Sequence, residues 1–186
     1  MKEIREILKD LDVEVVSMKE AGITADIVED GATFEENAVI KAKAIMEITN
    51  EIVLADDSGL EIDYLNREPG IYSARYMGED TSYRIKNKNL IDRLKGVPDE
   101  MRTARFVCAV AAAFPDGDIV TARGTIEGII GYEERGTNGF GYDPIFYVPE
   151  YGCSTAELSP EVKNRISHRG KALRKMKEEL KSRKVS

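Results

Sequence analysis

The chain has 186 residues, 42% hydrophobic and 33% charged, with a net charge of −7. It can bury a core as one domain, but it is too acidic for a nucleic-acid backbone to be its main partner, which would need clustered Lys and Arg. A small phosphorylated ligand is not excluded, because that needs only a local cationic pocket.

The two cysteines differ in setting, Cys108 in an apolar run and Cys153 in a polar loop. They offer neither a disulfide framework nor metal-ligand spacing, which points to a reducing cytoplasm. No apolar stretch is long enough to span a bilayer, and the first residues are polar and charged, unlike a signal peptide.

In chain order, Lys2 to Leu11 carries Ile4, Ile7, Leu8 and Leu11 on one helical stripe. Val13 to Val16 predicts a short strand. Thr33-Phe34-Glu35-Glu36 has the form of a capping box, and the helix after it places Phe34, Ala38, Ala42, Ile45 and Ile48 at core spacing. A strand from Glu51 to Ala55 is expected to stop at a Ser58-Gly59 turn, and Leu60 to Asp63 alternates like a second, half-buried strand. Pro69-Gly70 marks a turn, and Ser82 to Leu94 reads as a surface helix. Ala104 to Phe114 is a strand buried on both faces. Pro115-Asp116-Gly117 turns it back into Ile119 to Gly124, and Thr125 to Tyr132 continues that strand, with Gly128 and Gly131 as bends or bulges. Ser159-Pro160 starts a helix, and Ser167 caps a second one whose apolar stripe is Leu173, Met176 and Leu180. The alternation of helix and strand indicates an α/β domain with a mixed sheet.

Three constellations carry chemistry. The first is Leu54-Ala55-Asp56-Asp57-Ser58-Gly59-Leu60, in which an apolar run delivers two carboxylates to a sheet's lip. Hard cations such as Mg²⁺ take oxygen ligands of this kind and keep phosphates as the others. The same residues are also common turn formers. The second is Gly136-Thr137-Asn138-Gly139-Phe140-Gly141-Tyr142-Asp143-Pro144. Its glycines let backbone approach a ligand closely. Phe140 either faces out to stack on a flat base or turns inward to plug the core; Asp143 either bonds a ligand or caps a turn. The third is Lys163-Asn164-Arg165-Ile166-Ser167-His168-Arg169, around the only histidine. It reads as donors for keto or phosphate oxygens, or as a solvated helix junction. Asn37 and Lys41 share one helix face, so Lys41 either reaches a phosphate or faces solvent.

Taken in order, the blocks at 31–38, 55–60, 69–76, 137–144, 156–159 and 163–169 resemble the non-canonical purine nucleoside triphosphate pyrophosphatases, the inosine/xanthosine triphosphatase or Ham1-like family. The likeness covers nearly the whole chain. It implies a long, twisted mixed sheet flanked by helices, in two lobes with a central cleft. It implies a cytoplasmic, Mg²⁺-dependent homodimer that cleaves ITP, dITP and XTP to monophosphate and pyrophosphate. Carried over by motif, Asp57 is the proton acceptor and a metal ligand, with Asp56 and Glu29 as further ligands. Ser58 and Lys41 touch substrate. Phe140, Gly141, Tyr142 and Asp143 hold the base, with Lys163, His168 and Arg169 completing its recognition. Family members normally open with a strand and a Thr/Ser-x-Asn-x-x-Lys loop before a helix like Lys2 to Leu11. This sequence begins at that helix, so the resemblance implies an N-terminally shortened domain. A weakened phosphate grip follows as an expectation, and with it an alternative function: nucleotide binding with impaired catalysis.

Overall fold

The strand expected over Ala104 to Phe114 forms β3, Thr103–Ala113, and every residue from Cys108 to Ala113 is at most 1% exposed. Small and β-branched side chains suit such double-sided burial. The turn follows as expected, with Gly117 N donating to Phe114 O and Phe114 N to Asp118 O, both at 2.9 Å. The chain returns as β4, Ile119–Ile130. With β1 (Val53–Ile62), β2 (Glu68–Pro69), β5 (Phe146–Val148) and β6 (Cys153–Ser154) these make one sheet in the order β2-β1-β3-β4-β5-β6. Glu61 pairs with Pro69, Ile129 with Tyr147, and Tyr147 with Ser154, all antiparallel.

Side-chain contacts show that β1 and β3 are antiparallel as well: Thr103 bonds Asp63, Arg105 bonds Glu61, and Cys108 lies at Asp56. The α/β class stands, but these neighbours are antiparallel rather than mixed. The excursion between Ile62 and Thr103 contains a helix, yet it brings the chain back to the end of β1 it left.

The computed structural model describes residues 1–185, which form two compact units. The first takes in residues 1–57, 108–124 and the chain from 168 onward. Here α1 (Lys2–Leu8) and α5 (His168–Ser182) pack on the face of Leu54, Cys108, Val110, Ala112, Val120 and Ala122. The stripe is as expected: Leu173, Met176 and Leu180 are at most 3% exposed, each worth roughly 1.5–3 kcal/mol of transfer energy.

Helix α1 stops at Leu8 rather than Leu11, and Val13 to Val16 is not a strand. Val13 and Val16 lie 37% and 52% exposed and only Val15 packs on the core, while Arg5 donates to the Val15 carbonyl at 3.0 Å.

Helix α2, Phe34–Thr49, starts at the expected cap. Thr33 accepts from Glu36 N at 3.1 Å, but Glu36 reaches back one residue further than a capping box, to Ala32 N at 2.6 Å. Phe34, Ala38, Ala42 and Ile45 are buried, whereas Ile48, in the last turn, is 61% exposed.

Gly124 decides where α5 starts. A Cβ there would lie 2.2 Å from His168 O and 2.5 Å from Ala172 N, so backbone rests on backbone. Gly124→Ala must therefore push the first turn of α5 off the sheet. We expect a loss of about 1–3 kcal/mol and a Tm several degrees lower by calorimetry. A Tm within 1 °C of the parent, in a range set by roughly 2–4 °C per kcal/mol, would show that the contact is not tight.

The second unit comprises residues 58–107 and 125–167. Its core gathers Leu60, Ile62, Leu90, Leu94, Ile130, Ile145 and Phe146. Gly128 is not a bend: a Cβ there would sit 2.8 Å from the Phe146 ring, so the residue makes room for an aromatic. Helix α3, Tyr83–Arg93, is the surface helix its polar sequence suggests on the side of Arg84, Lys88 and Asp92, but its other side is buried. Lys86 and Asn87 are both 1% exposed. Burial of Lys86 is compensated by a 2.7 Å bond to Ala74 O and by the Tyr83 ring 4.7 Å away. Helix α4, Pro160–Ile166, is capped by Ser159 as expected.

Candidate active site

Asp56 and Asp57 lie inside β1, not at a turn. Leu60 and Ile62 just beyond them are fully buried, and keeping both in the core requires the strand to run on through Ser58-Gly59. The strand's period of two then sends the neighbouring carboxylates to opposite faces. Asp57 points to α2 and accepts from Asn37 Nδ2 at 3.2 Å. Asp56 points to α5, with Cys108 Sγ at 4.0 Å and Arg169 Nε at 3.5 Å. Ser58 is half-buried.

Lys41, four residues after Asn37 on α2, holds its Nζ 3.3 Å from Glu29 and 3.9 Å from Asp57. The sequence left its direction open; it turns to the acids. Asn37 is 1% exposed, and its Oδ1 accepts from Gly31 N at 2.9 Å, which leaves Nδ2 to orient Asp57. Two hard carboxylates thus already share one cation. Among the described residues no group of three or more His, Cys, Asp or Glu could hold a metal ion. The donor set still fits Mg²⁺, which binds through one or two carboxylates and keeps water and phosphate for the remaining positions.

His168 and Arg169 open α5. The carbonyl of His168 is the atom that rests on Gly124, so the glycine fixes both residues against the sheet. Arg169 Nε is buried at ion-pair range from Asp56 but makes no hydrogen bond.

The glycine loop lies in the second unit. Phe140 is 82% exposed, which resolves the sequence's two readings in favour of an outward ring, and Lys163 Nζ lies 5.1 Å from its centroid. Asp143 is buried, accepting from Phe140 N at 2.9 Å, from Thr155 Oγ1 at 2.8 Å and from Lys163 Nζ. It is the loop's internal clamp. Gly139 has φ +71°, and a Cβ there would lie 2.2 Å from Asp143 and 2.7 Å from Lys163 Nζ. Only glycine lets that carboxylate and ammonium close under the loop. Tyr142 is buried, donates to Ser73 O at 2.6 Å and meets Tyr83 edge-on at 5.1 Å; burial pushes its phenol above the ordinary range. Gly141 is half-buried.

A profile of the Ham1 family matches residues 1–179. A relative from Desulforamulus reducens, named dITP/XTP pyrophosphatase, is 52% identical over 180 residues, covering 97% of this chain and 90% of its own length. The chain belongs to the Ham1 family. A Clostridium perfringens relative of the same name is 49% identical over 187 residues, covering 97% and 92%. The structure of a Coxiella burnetii HAM1 protein superposes with a TM-score of 0.90 at 41% identity, covering 97% of this chain and 92% of that one. The Staphylococcus aureus Ham1 protein gives 0.90 and 41%, covering 98% and 93%. No described helix of this Ham1-family chain is long and apolar enough to cross a membrane.

Several supporting residues left no trace in the sequence reading. No spacing marks Thr155 as the partner of Asp143, and the apolar run around Cys108 marks it only as a core residue. Arg123, on β4, bonds Glu35 in the first turn of α2 at 3.0 Å and so ties that helix to the sheet. The pairs are 12, 52 and 88 residues apart; no local spacing could reveal them.

Proposed function

We propose that this chain hydrolyses non-canonical purine nucleoside triphosphates, ITP, dITP and XTP, to the monophosphate and pyrophosphate, with Mg²⁺. The observation that carries the reading is the set Glu29, Lys41, Asn37 and Asp57, which puts two carboxylates and an ammonium at one place in a chain whose relatives are named dITP/XTP pyrophosphatase. Those relatives' names favour hydrolysis over nucleotide binding without catalysis.

Asp57 and Glu29 would hold Mg²⁺, which when bound neutralises triphosphate charge. Asn37 holds the Asp57 carboxylate in place by its 3.2 Å bond. Asp57 then accepts a proton from water as the water oxygen attacks the α-phosphorus. The bond from that phosphorus to the α–β bridging oxygen breaks, and pyrophosphate leaves with the bond's electron pair. Lys41 offsets negative charge beside it. Asp56, on the other face of β1, we assign to holding Arg169 rather than to the metal. Phe140 supplies a stacking face, worth about 1–3 kcal/mol per base. His168 and Arg169 donate to a keto oxygen. An amino group in its place would leave donors facing a donor, at about 1–3 kcal/mol for each unpaired group.

The test is pyrophosphate release from ITP, XTP, dITP and ATP, with and without Mg²⁺. We expect turnover of the keto purines only with the metal, and kcat/KM for ATP at least about tenfold lower, the equivalent of one such unpaired group. Equal rates on ATP and ITP would remove the keto-specific reading.

A further inference from the structure

The glycine loop has three anchors. Asn138 is tied by its N to Ala156 O and by its Nδ2 to Leu158 O, both at 2.9 Å. Asp143 is clamped by Lys163 and Thr155. The third anchor comes from α3: Asn87 Nδ2 donates to Gly141 O at 3.2 Å and to Glu134 Oε1 at 2.9 Å. Phe140 itself is 82% exposed, so its posture depends on the backbone on either side of it. The first anchor holds the loop before Phe140, and the second reaches Phe140 itself, since Asp143 accepts from Phe140 N at 2.9 Å and Asp143 N donates to Phe140 O at 3.2 Å; the carbonyl of the next residue, Gly141, is held by Asn87.

Asn87 is 1% exposed, and its Oδ1 is buried with no hydrogen-bond partner. A flip of the amide would not help, because it would turn that oxygen toward the Glu134 carboxylate and the Gly141 carbonyl. Both amide protons are committed to acceptors, so the orientation is settled and the carbonyl is left unpaired. A buried acceptor without a donor is a local cost with no packing benefit. Such exceptions to local consistency are expected where function sets the residue. Neighbouring turns of α3 add to the platform: the Tyr83 ring lies beneath Gly141, 3.5 Å from where a Cβ would sit.

We propose that Asn87 is a positioning residue for the substrate base: by holding the Gly141 carbonyl it sets the outward posture of Phe140. The inference rests on the reading of Phe140 as a stacking face. Nothing in the Lys- and Asn-rich sequence of α3 marks Asn87 out, and its assigned role acts through Phe140.

The chain contains no tryptophan, so Phe140→Trp places a single tryptophan, excitable apart from the tyrosines, at the loop tip. In that background, Asn87→Ala should lower the steady-state anisotropy of the tryptophan and raise its quenching by acrylamide, with no nucleotide present. In the parent background, Asn87→Ala should raise KM for ITP about 5–20-fold and leave kcat within about twofold, since Asp57 is untouched. Glu134→Gln keeps an acceptor for Asn87 and should leave both readouts near parental values. Should Asn87→Ala unfold, Asn87→Asp keeps its volume, loses both donors and should behave alike. Unchanged anisotropy and quenching in a folded variant overturn the inference. A loosened tryptophan with unchanged KM overturns instead the stacking reading of Phe140.

Discussion

Asp57→Asn is expected to reduce pyrophosphate release from ITP by about 10²–10⁴-fold, the usual worth of a general base. Binding should largely survive. The replacement has the same shape, and its carbonyl oxygen can still accept from Asn37 Nδ2, now 3.2 Å from the carboxylate. What is lost is the proton acceptor, one negative charge beside Lys41 and, on the proposed reading, one charged oxygen ligand for Mg²⁺, with Glu29 left to hold it. That lysine keeps Glu29 at 3.3 Å, so the ammonium is not left alone. The fold should tolerate the change, because Asn is as acceptable as Asp at a half-buried strand position between α2 and the sheet. Single-turnover rates with ITP and Mg²⁺, set against calorimetric binding of IMP, separate the two effects. Turnover within threefold of the parent would remove Asp57 from the role of base and return the question to Glu29.

The second large effect concerns stability. Arg102→Met should destabilise the second unit by about 3–5 kcal/mol. Arg102 is 1% exposed, and its guanidinium donates to Ile130 O at 2.7 Å, Leu94 O at 2.8 Å and Gly131 O at 2.7 Å. Tyr132 covers it, with its ring centroid 4.1 Å from Cζ. Burial lowers its pKa from the ordinary arginine value, yet a guanidinium remains charged. Buried ion pairs can often be replaced by apolar residues at little cost. That exception does not apply here, because the partners are backbone carbonyls that stay when the arginine goes. Leu94 O keeps Val97 N as a donor at 3.1 Å, but each buried acceptor that loses its donor costs about 1–3 kcal/mol, and methionine offers none. The three carbonyls close the C-terminal end of α3 and the end of β4, so all lie in one cooperative region. Urea denaturation of Arg102→Met and Arg102→Lys would check this. The lysine variant should recover part of the loss. A methionine variant as stable as the parent would show that water satisfies those carbonyls.

The elements with strong local signals were legible from the sequence. The unbroken apolar run of β3, the Pro-Asp-Gly turn, the Thr33 and Ser159 caps and the stripe of α5 all fall where residue spacing places them. Each rests on interactions within a few residues, so the local code is complete. The family likeness was also readable, because it resides in contiguous blocks. Val13 to Val16 shows where the local code stops: its β-branched composition favours a strand, but Val13 and Val16 stay exposed and the Val15 carbonyl accepts from the Arg5 side chain instead. The Ser58-Gly59 pair is the opposite case. Its composition says turn, yet burial of Leu60 and Ile62 pulls the strand through it.

The residue types of the candidate site were therefore set by the sequence alone: two acids, an aromatic among glycines, and a cluster of cations around one histidine. Their assignment to partners was not. Only the folded sheet divides Asp56 from Asp57, giving one to Arg169 and the other to Asn37, Lys41 and Glu29. Only packing buries Asn87 and Arg102 in segments whose composition reads as surface. The physical reason is the same each time. A side chain's chemistry is its own, but its direction and hydration are fixed by strands and helices that the chain brings back from dozens of residues away.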